Sequence, residues 1–136
     1  MFERIRATGL RLTPQRMAIC RILSESTDHP TARTIYKQLR KEMPSLSLMT
    51  VYNNLNALVN AGVVNTLGSV GDDQVHYDAN IEPHINMACI GCHQITDLPS
   101  DTIQQVTQEV KSATDYHLFG VRVLFYGLCQ LCQQAG

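Results

Sequence analysis

Cys89-x-x-Cys92 and Cys129-x-x-Cys132 offer four thiols as two tight pairs, far apart in the chain. Each pair fits on one turn, so two sulfurs reach a single ion without strain. Two such pairs are the ligand set of a tetrahedral structural zinc site. The long stretch between them predicts a metal that ties distant parts of a domain together, not one that closes a small finger. A redox reading competes, because a single Cys-x-x-Cys is also the thioredoxin-type pair. Neither pair follows an evident strand-to-helix unit, however, and two redox centres are one too many. Cys89-Ile90-Gly91-Cys92-His93 also spells a c-type haem attachment site, but no export signal is read. The fifth cysteine, Cys20, lies alone in a helical apolar pattern and reads as a small core hydrophobe.

A second, harder cluster is scattered along the chain. His84 and Asn86 alternate on a strand pattern, so both point to one face. Asp78 lies just before them, Asp97 ends the next strand, and His29 stands at a helix junction. Nitrogen and oxygen donors together suit Fe²⁺ or Mn²⁺ better than an all-sulfur site does. Taken singly, a His or Asp is most often a solvated side chain, and spacing alone carries this cluster only a short way. His76, His93 and His117 show no comparable set of partners. A nucleobase deaminase is excluded: it needs His-x-Glu ahead of Pro-Cys-x-x-Cys, and Asn86 stands where that Glu would be.

A third set of residues suits DNA. Met49, Thr50, Tyr52, Asn53, Asn56 and Asn60 fall on one outward helix face. Asn pairs bidentately with adenine, and Tyr or Thr touches a thymine methyl or a phosphate. Arg11, Thr13, Gln15 and Arg16, at the start of an earlier helix, would grip the backbone. A solvated face is the plain alternative, but asparagines weaken a helix, and that cost favours a function. The net charge of −1 argues against nucleic acid until its distribution is read. Residues 1–43 hold nine of the eleven basic side chains against four acids, and the remainder holds two against eight. A basic front half predicts an anionic partner, and an acidic back half predicts cation handling.

Around these residues the chain spells a series of short elements. At 136 residues and 44% hydrophobic it is one large domain or two small ones, with no run long enough to span a membrane. Thr13-Pro14 starts a helix whose stripe is Ala18, Ile19, Ile22 and Leu23. His29-Pro30-Thr31 ends it and caps a second, with Ile35, Leu39 and Met43 recurring until Pro44. Ser47 caps a third, with Val51, Leu55, Leu58 and Ala61 inward and Gly62 as its stop. Strands over 63–67 and 74–77 flank the turn-rich Gly68-Ser69-Val70-Gly71-Asp72-Asp73. Three short helices and a hairpin predict a winged helix-turn-helix. Beyond a linker come strands around 84–89 and 94–98, a helix over about 100–114 burying Ile103, Val106, Val110 and Ala113, and a strand over 118–126. The fold class is α+β: a winged-helix domain over 1–77, a hinge over 78–83, and a small α/β dimerisation domain with the four-cysteine zinc site over 84–136.

Over nearly its whole length the chain resembles the ferric uptake regulator superfamily. The matching stretches are Arg11-Leu-Thr-Pro-Gln-Arg16, His29-Pro-Thr-Ala32, Thr50-Val-Tyr-Asn-Asn-Leu55, His84-x-x-x-x-Cys89-x-x-Cys92 and Tyr126-Gly-x-Cys-x-x-Cys132. The resemblance implies a metal-dependent homodimeric repressor of palindromic operator DNA, with structural Zn²⁺ on Cys89, Cys92, Cys129 and Cys132. In the peroxide regulator branch of that superfamily, a regulatory Fe²⁺ or Mn²⁺ is held by residues that fall here on His29, Asp78, His84, Asn86 and Asp97. Asp97 favours that branch, and Asn86 departs from its usual His-x-His. The expectation is a cytoplasmic repressor most like a peroxide sensor, not an enzyme, since no nucleophile–base pair is read. The rivals are a regulator that senses iron, manganese or zinc itself, and a zinc-ribbon interaction protein without an operator.

Overall fold

Thr13, Thr31 and Ser47 each begin a helix for one physical reason. The first backbone N–H groups of a helix have no partner within it, and a side-chain oxygen at the cap supplies one. The three hydroxyls accept from Arg16 N–H (3.2 Å), Thr34 N–H (3.2 Å) and Thr50 N–H (3.0 Å), each bond contributing about 1 kcal/mol. They open α2 (Pro14–Glu25), α3 (Ala32–Leu39) and α4 (Leu48–Asn60), preceded by a short α1 (Phe2–Ala7). These elements come from a computed structural model that describes residues 1–135; Gly136, the end of the expected 84–136 domain, lies outside them.

Ile19, Leu23, Ile35, Val51, Leu55 and Leu58 meet in one buried cluster, with Ile5 from α1 and Cys20 among them. Helix α3 stops at Leu39, short of the expected Met43. The N–H groups of Glu42 and Met43 both turn back onto the Leu39 carbonyl, so turns replace the helix before Pro44 acts. Gly62, at φ +77, ends α4 as expected. An antiparallel hairpin follows, β1 (Asn65–Leu67) on β2 (His76–Asp78), in the register Asn65↔Asp78 and Leu67↔His76. The strands are shorter than predicted because Val63 and Val64 are spent in the helical core before pairing begins. Asp78, expected in the linker, is the last residue of β2.

The second lobe is built on β3 (His84–Cys89), the middle strand of the order β4-β3-β5. Strand β4 (Ile95–Pro99) runs antiparallel to it and β5 (Leu124–Gly127) parallel. A parallel partner demands a long crossover, which α5 (Asp101–Ala113) and irregular residues 114–123 supply; the predicted strand over 118–126 is therefore mostly connection. The crossover passes close to the first lobe. A Cβ on Gly120 would collide with Asn65 Oδ1, so a larger residue there would force the Asn65 amide to move. Helix α6 (Gln130–Ala135) closes the described chain.

The expected inward face of α5 is corrected. Val106 and Val110 are 46% and 42% exposed, Ala113 is exposed and Ile103 is half-buried. The helix instead buries Thr107, whose hydroxyl is satisfied on the Ile103 carbonyl at 2.7 Å. A second small core joins the lobes: Val70, from the β1–β2 loop, packs with Leu67, Ala88 and Ile95. No helix among the described residues is long and apolar enough to cross a membrane.

Candidate metal centres and nucleic-acid interface

The four cysteines converge. Cys89 closes β3, Cys92 sits in the β3–β4 turn, and Cys129 and Cys132 flank the start of α6. Their sulfurs all lie within 4.8 Å of one another, with Cys92 Sγ and Cys129 Sγ 4.0 Å apart. A tetrahedral ion with Zn–S bonds of about 2.3 Å sets sulfurs about 3.8 Å apart, so the cluster has the right size. The second pair does lie at a strand-to-helix turn, contrary to the sequence reading. The convergence of all four sulfurs, not the turn type, is what argues against two redox pairs. A side chain at Gly91 would crowd the same cluster, its Cβ standing 3.0 Å from Cys132 Sγ.

Charge points the same way. Cys89 Sγ accepts from Cys129 N–H (3.3 Å) and Cys92 N–H (3.5 Å), and these donors lower its pKa to about 5. The Cys89 and Cys129 sulfurs push Cys132 up to about 12. Four thiols this close cannot all ionise without a cation between them, and zinc is the ion that soft donors in this number favour. Cys20, by contrast, is raised to about 11 by burial and is an inert core thiol.

The nitrogen–oxygen cluster spans both lobes. His29 comes from the turn before α3, Asp78 from β2, His84 from β3 and Asp97 from β4, and their ligand atoms lie within 4.8 Å of one another. His29 Nε2 is 2.7 Å from Asp97 Oδ1 and 3.2 Å from Asp78 Oδ2. His84 Nε2 is 3.1 Å from Asp78 Oδ2 and 3.6 Å from Asp97 Oδ1. An octahedral ion with bonds of about 2.1 Å places neighbouring donors about 3 Å apart. Asn86 faces Asp97 across the β3–β4 pair and is 2% exposed. Its Oδ1 lies 3.2 Å from His84 Nε2, while its Nδ2 donates to the Val123 carbonyl at 3.4 Å. That bond turns the amide oxygen toward the cluster.

An ion-pair network would show similar distances, but it would not strand the His29 ring. Both His29 nitrogens are buried without a hydrogen bond: the two carboxylates stand near Nε2 alone, and Nδ1 has no partner among the described residues. A buried, unpartnered imidazole facing two carboxylates and a second imidazole fits a divalent cation. Burial alone would lower the His29 pKa, but Asp78 and Asp97 outweigh it and raise it. Burial likewise works against the Asp78 charge, and His29, the Asn80 N–H and His84 together outweigh it, lowering its pKa. A cleft of about 880 Å³, lined by His29, Asp78 and Asp97 among others, gives solutes a way in.

On the candidate DNA face, Met49, Asn53, Asn56 and Asn60 are exposed along α4, as are Arg11 and Gln15 in the first segment. Thr50 and Tyr52 are half-buried, and Tyr52 packs on the helical core. Thr13 is spent on its cap, and Arg16 is held by Asn54 Oδ1 (3.1 Å) and by the Arg11 carbonyl. Asn54 was missed by the sequence reading. It lies three residues after Val51, on the inward face of the helix, and its buried amide pins α2 to α4. His76 was missed too: it contacts Asp72 and the His29 carbonyl.

One metal cluster inside a lobe and another made by both lobes mark a two-lobed protein whose halves are joined through metal-type ligands. The chain belongs to the ferric uptake regulator family, whose pattern matches residues 7–126. It is 36% identical over 132 residues to the peroxide-responsive repressor PerR of Staphylococcus epidermidis, covering 97% of this chain and 87% of that one. The structure of PerR from Streptococcus pyogenes superimposes with a TM-score of 0.55 at 36% identity, covering 97% of this chain and 90% of that one. The Helicobacter pylori ferric uptake regulator, described with three functional metal binding sites, shares the fold with a TM-score of 0.72 at 24% identity over 95% and 86% of the two chains.

Proposed function

We propose that this chain is a cytoplasmic, homodimeric, metal-dependent transcriptional repressor that binds palindromic double-stranded operator DNA and senses peroxide. The observation that carries the reading is the hinge-spanning cluster of His29, Asp78, His84 and Asp97, with Asn86 beside it. A cation there would join residues 1–77, a winged-helix unit, to residues 84–136 across the 78–83 hinge. That would hold two copies of α4 about one DNA turn, ~34 Å, apart. Zn²⁺ on the four cysteines is structural, and Fe²⁺ or Mn²⁺ at the hinge is regulatory. Support for a dimer comes from β5, which lies at the sheet edge with Phe125 and Tyr126 59% and 75% exposed, and from the apolar stripe of α5. The DNA-facing set is Arg11, Thr13, Gln15, Arg16, Thr50, Tyr52, Asn53 and Asn56, of which Thr13 and Arg16 serve mainly to brace the face.

Bound Fe²⁺ would supply one electron to split the peroxide O–O bond. Over the whole reaction the imidazole is the two-electron donor, one peroxide oxygen ending on the ring and the other leaving as water. His29 and His84 are the side chains placed to take the oxygen, and a damaged imidazole no longer joins the lobes. The test is mass spectrometry of anaerobically iron-loaded protein after brief peroxide, with operator binding followed in parallel. The expected result is one added oxygen, roughly 16 Da, on His29 or His84, none in the manganese form, and loss of binding in step with the change. A second reading, a regulator of metal uptake, is favoured by Asn86, a neutral and weaker donor than imidazole. It holds if both histidines stay intact in the iron form while DNA binding simply follows free metal.

A further inference from the structure

His29 has a backbone that nothing in its own segment explains. Its φ is +51, in the left-handed region, and it stands directly before Pro30, which disfavours helical conformations in the residue ahead of it. A side chain other than glycine stays in such a conformation only where the surroundings hold it. What holds it here is His76. The buried His76 ring donates from Nδ1 to the His29 carbonyl at 2.7 Å, and its Nε2 lies 2.7 Å from Asp72 Oδ2. Around this bond, Thr31 bridges to His76 and Tyr77 N–H donates to the Pro30 carbonyl at 3.0 Å.

Strand periodicity puts His76 and Asp78 on the same face of β2. That one strand therefore meets His29 twice, bonding its carbonyl through His76 and setting Asp78 Oδ2 3.2 Å from its ring. Asp72 in turn belongs to a loop fastened to the second lobe. Val70 is buried beside Ala88 and Ile95, and the Val70 carbonyl lies 3.2 Å from His93 Nδ1. We propose that His76, oriented by Asp72, is a positioning residue for the hinge metal. By fixing the His29 backbone it aims Nε2 at the point where Asp78, His84 and Asp97 meet. This rests on the reading of that cluster as a metal site.

The experiment is Mn²⁺ titration of the full-length, zinc-loaded protein in competition with a chromophoric chelator. Wild type is compared with His76→Leu, His76→Asn and Asp72→Ala, with zinc content and thermal unfolding followed for each. Asparagine places an amide N–H close to where Nδ1 stood, so it keeps the bond to the His29 carbonyl and loses only Asp72. Removing a hydrogen-bonding support of a metal ligand typically costs about ten- to hundredfold in affinity. That loss is expected for His76→Leu, with zinc content unchanged. His76→Asn should recover most of it, and Asp72→Ala should fall between. Unchanged Mn²⁺ affinity in folded His76→Leu overturns the proposal, as does an equal loss in His76→Asn. If His76→Leu does not fold, Asp72→Ala decides, and wild-type affinity there overturns it. A wild type that takes up no Mn²⁺ at all defeats the metal-site reading itself, whereas normal wild-type uptake with indifferent variants defeats this inference alone.

Discussion

Asn86 is the residue on which the character of the hinge site turns. Its amide is buried and oriented by Val123, so it presents an oxygen where the resemblance has an imidazole. A neutral oxygen donor lowers the affinity for ions that prefer nitrogen and leaves Mn²⁺ comparatively well served. Asn86→His should tighten Fe²⁺ and Mn²⁺ binding, roughly tenfold for one improved ligand. Competition titration with a chelator measures this, and an unchanged or weaker affinity would remove Asn86 from the ligand set. The same change should narrow the difference between the peroxide and uptake readings, because a site that keeps its iron has time to react.

Helix α4 is the element to which the proposal assigns DNA recognition, and its sequence sets two demands against each other. Leu55, Leu58 and Val51 bury one face, while Asn53, Asn56 and Asn60 on the other lower helix propensity. Ser47 offsets part of that cost, capping Thr50 N–H and bonding its hydroxyl at 2.8 Å. Asn56→Ala should therefore raise thermal stability slightly, by about 0.5 kcal/mol, while eroding preference for the operator. Arg11→Ala should weaken binding to every sequence alike and reduce the salt slope by about one. Binding isotherms on operator and random DNA at several salt concentrations separate the two; equal effects on both DNAs from both variants would refute the division of roles. Tyr52 is a poor probe, since it packs against the core and its removal would disturb the helix itself.

Across the full chain, the zinc cluster anchors both ends of the second lobe. Cys89 ends the central strand and Cys132 lies in α6, so the ion would tie that helix to the middle of the sheet. Zinc competes with protons for these sulfurs. The cluster contains a thiol raised to about 12, so binding must expel protons, and affinity should fall as the pH falls. With Cys89 lowered to about 5, that sulfur stays a thiolate until the pH nears that value. The pH dependence of zinc loss to a chelator should therefore steepen as the pH falls through about 5, where Cys89 also begins to take up a proton. Dimer mass by light scattering and the thermal transition should fall together with zinc content; a stable zinc-free dimer would show the site is not structural. The apolar stripe of Val106 and Val110 and the open edge of β5 are the surfaces that dimer would cover.

Local chemistry was legible in the sequence. Capping residues, the stop at Gly62, the core stripes of α2 and α4 and the two cysteine pairs depend on neighbours a few residues away, and the chain spells them directly. His84 and Asn86 were placed on one face for the same reason, since strand periodicity is local. The rest depended on contacts between distant segments. Whether α5 shows its valines or its threonine to the sheet is decided by the strand order, which periodicity does not encode. His76 acquires its role only when the hairpin folds back on the turn at His29. The β1–β2 loop read only as turn-rich, yet Val70 enters the joint between the lobes. Residue type and spacing marked the four cysteines directly but carried the nitrogen–oxygen set only a short way. Only the packing of one lobe on the other brings His29 and Asp97, far apart in the chain, to 2.7 Å from one another.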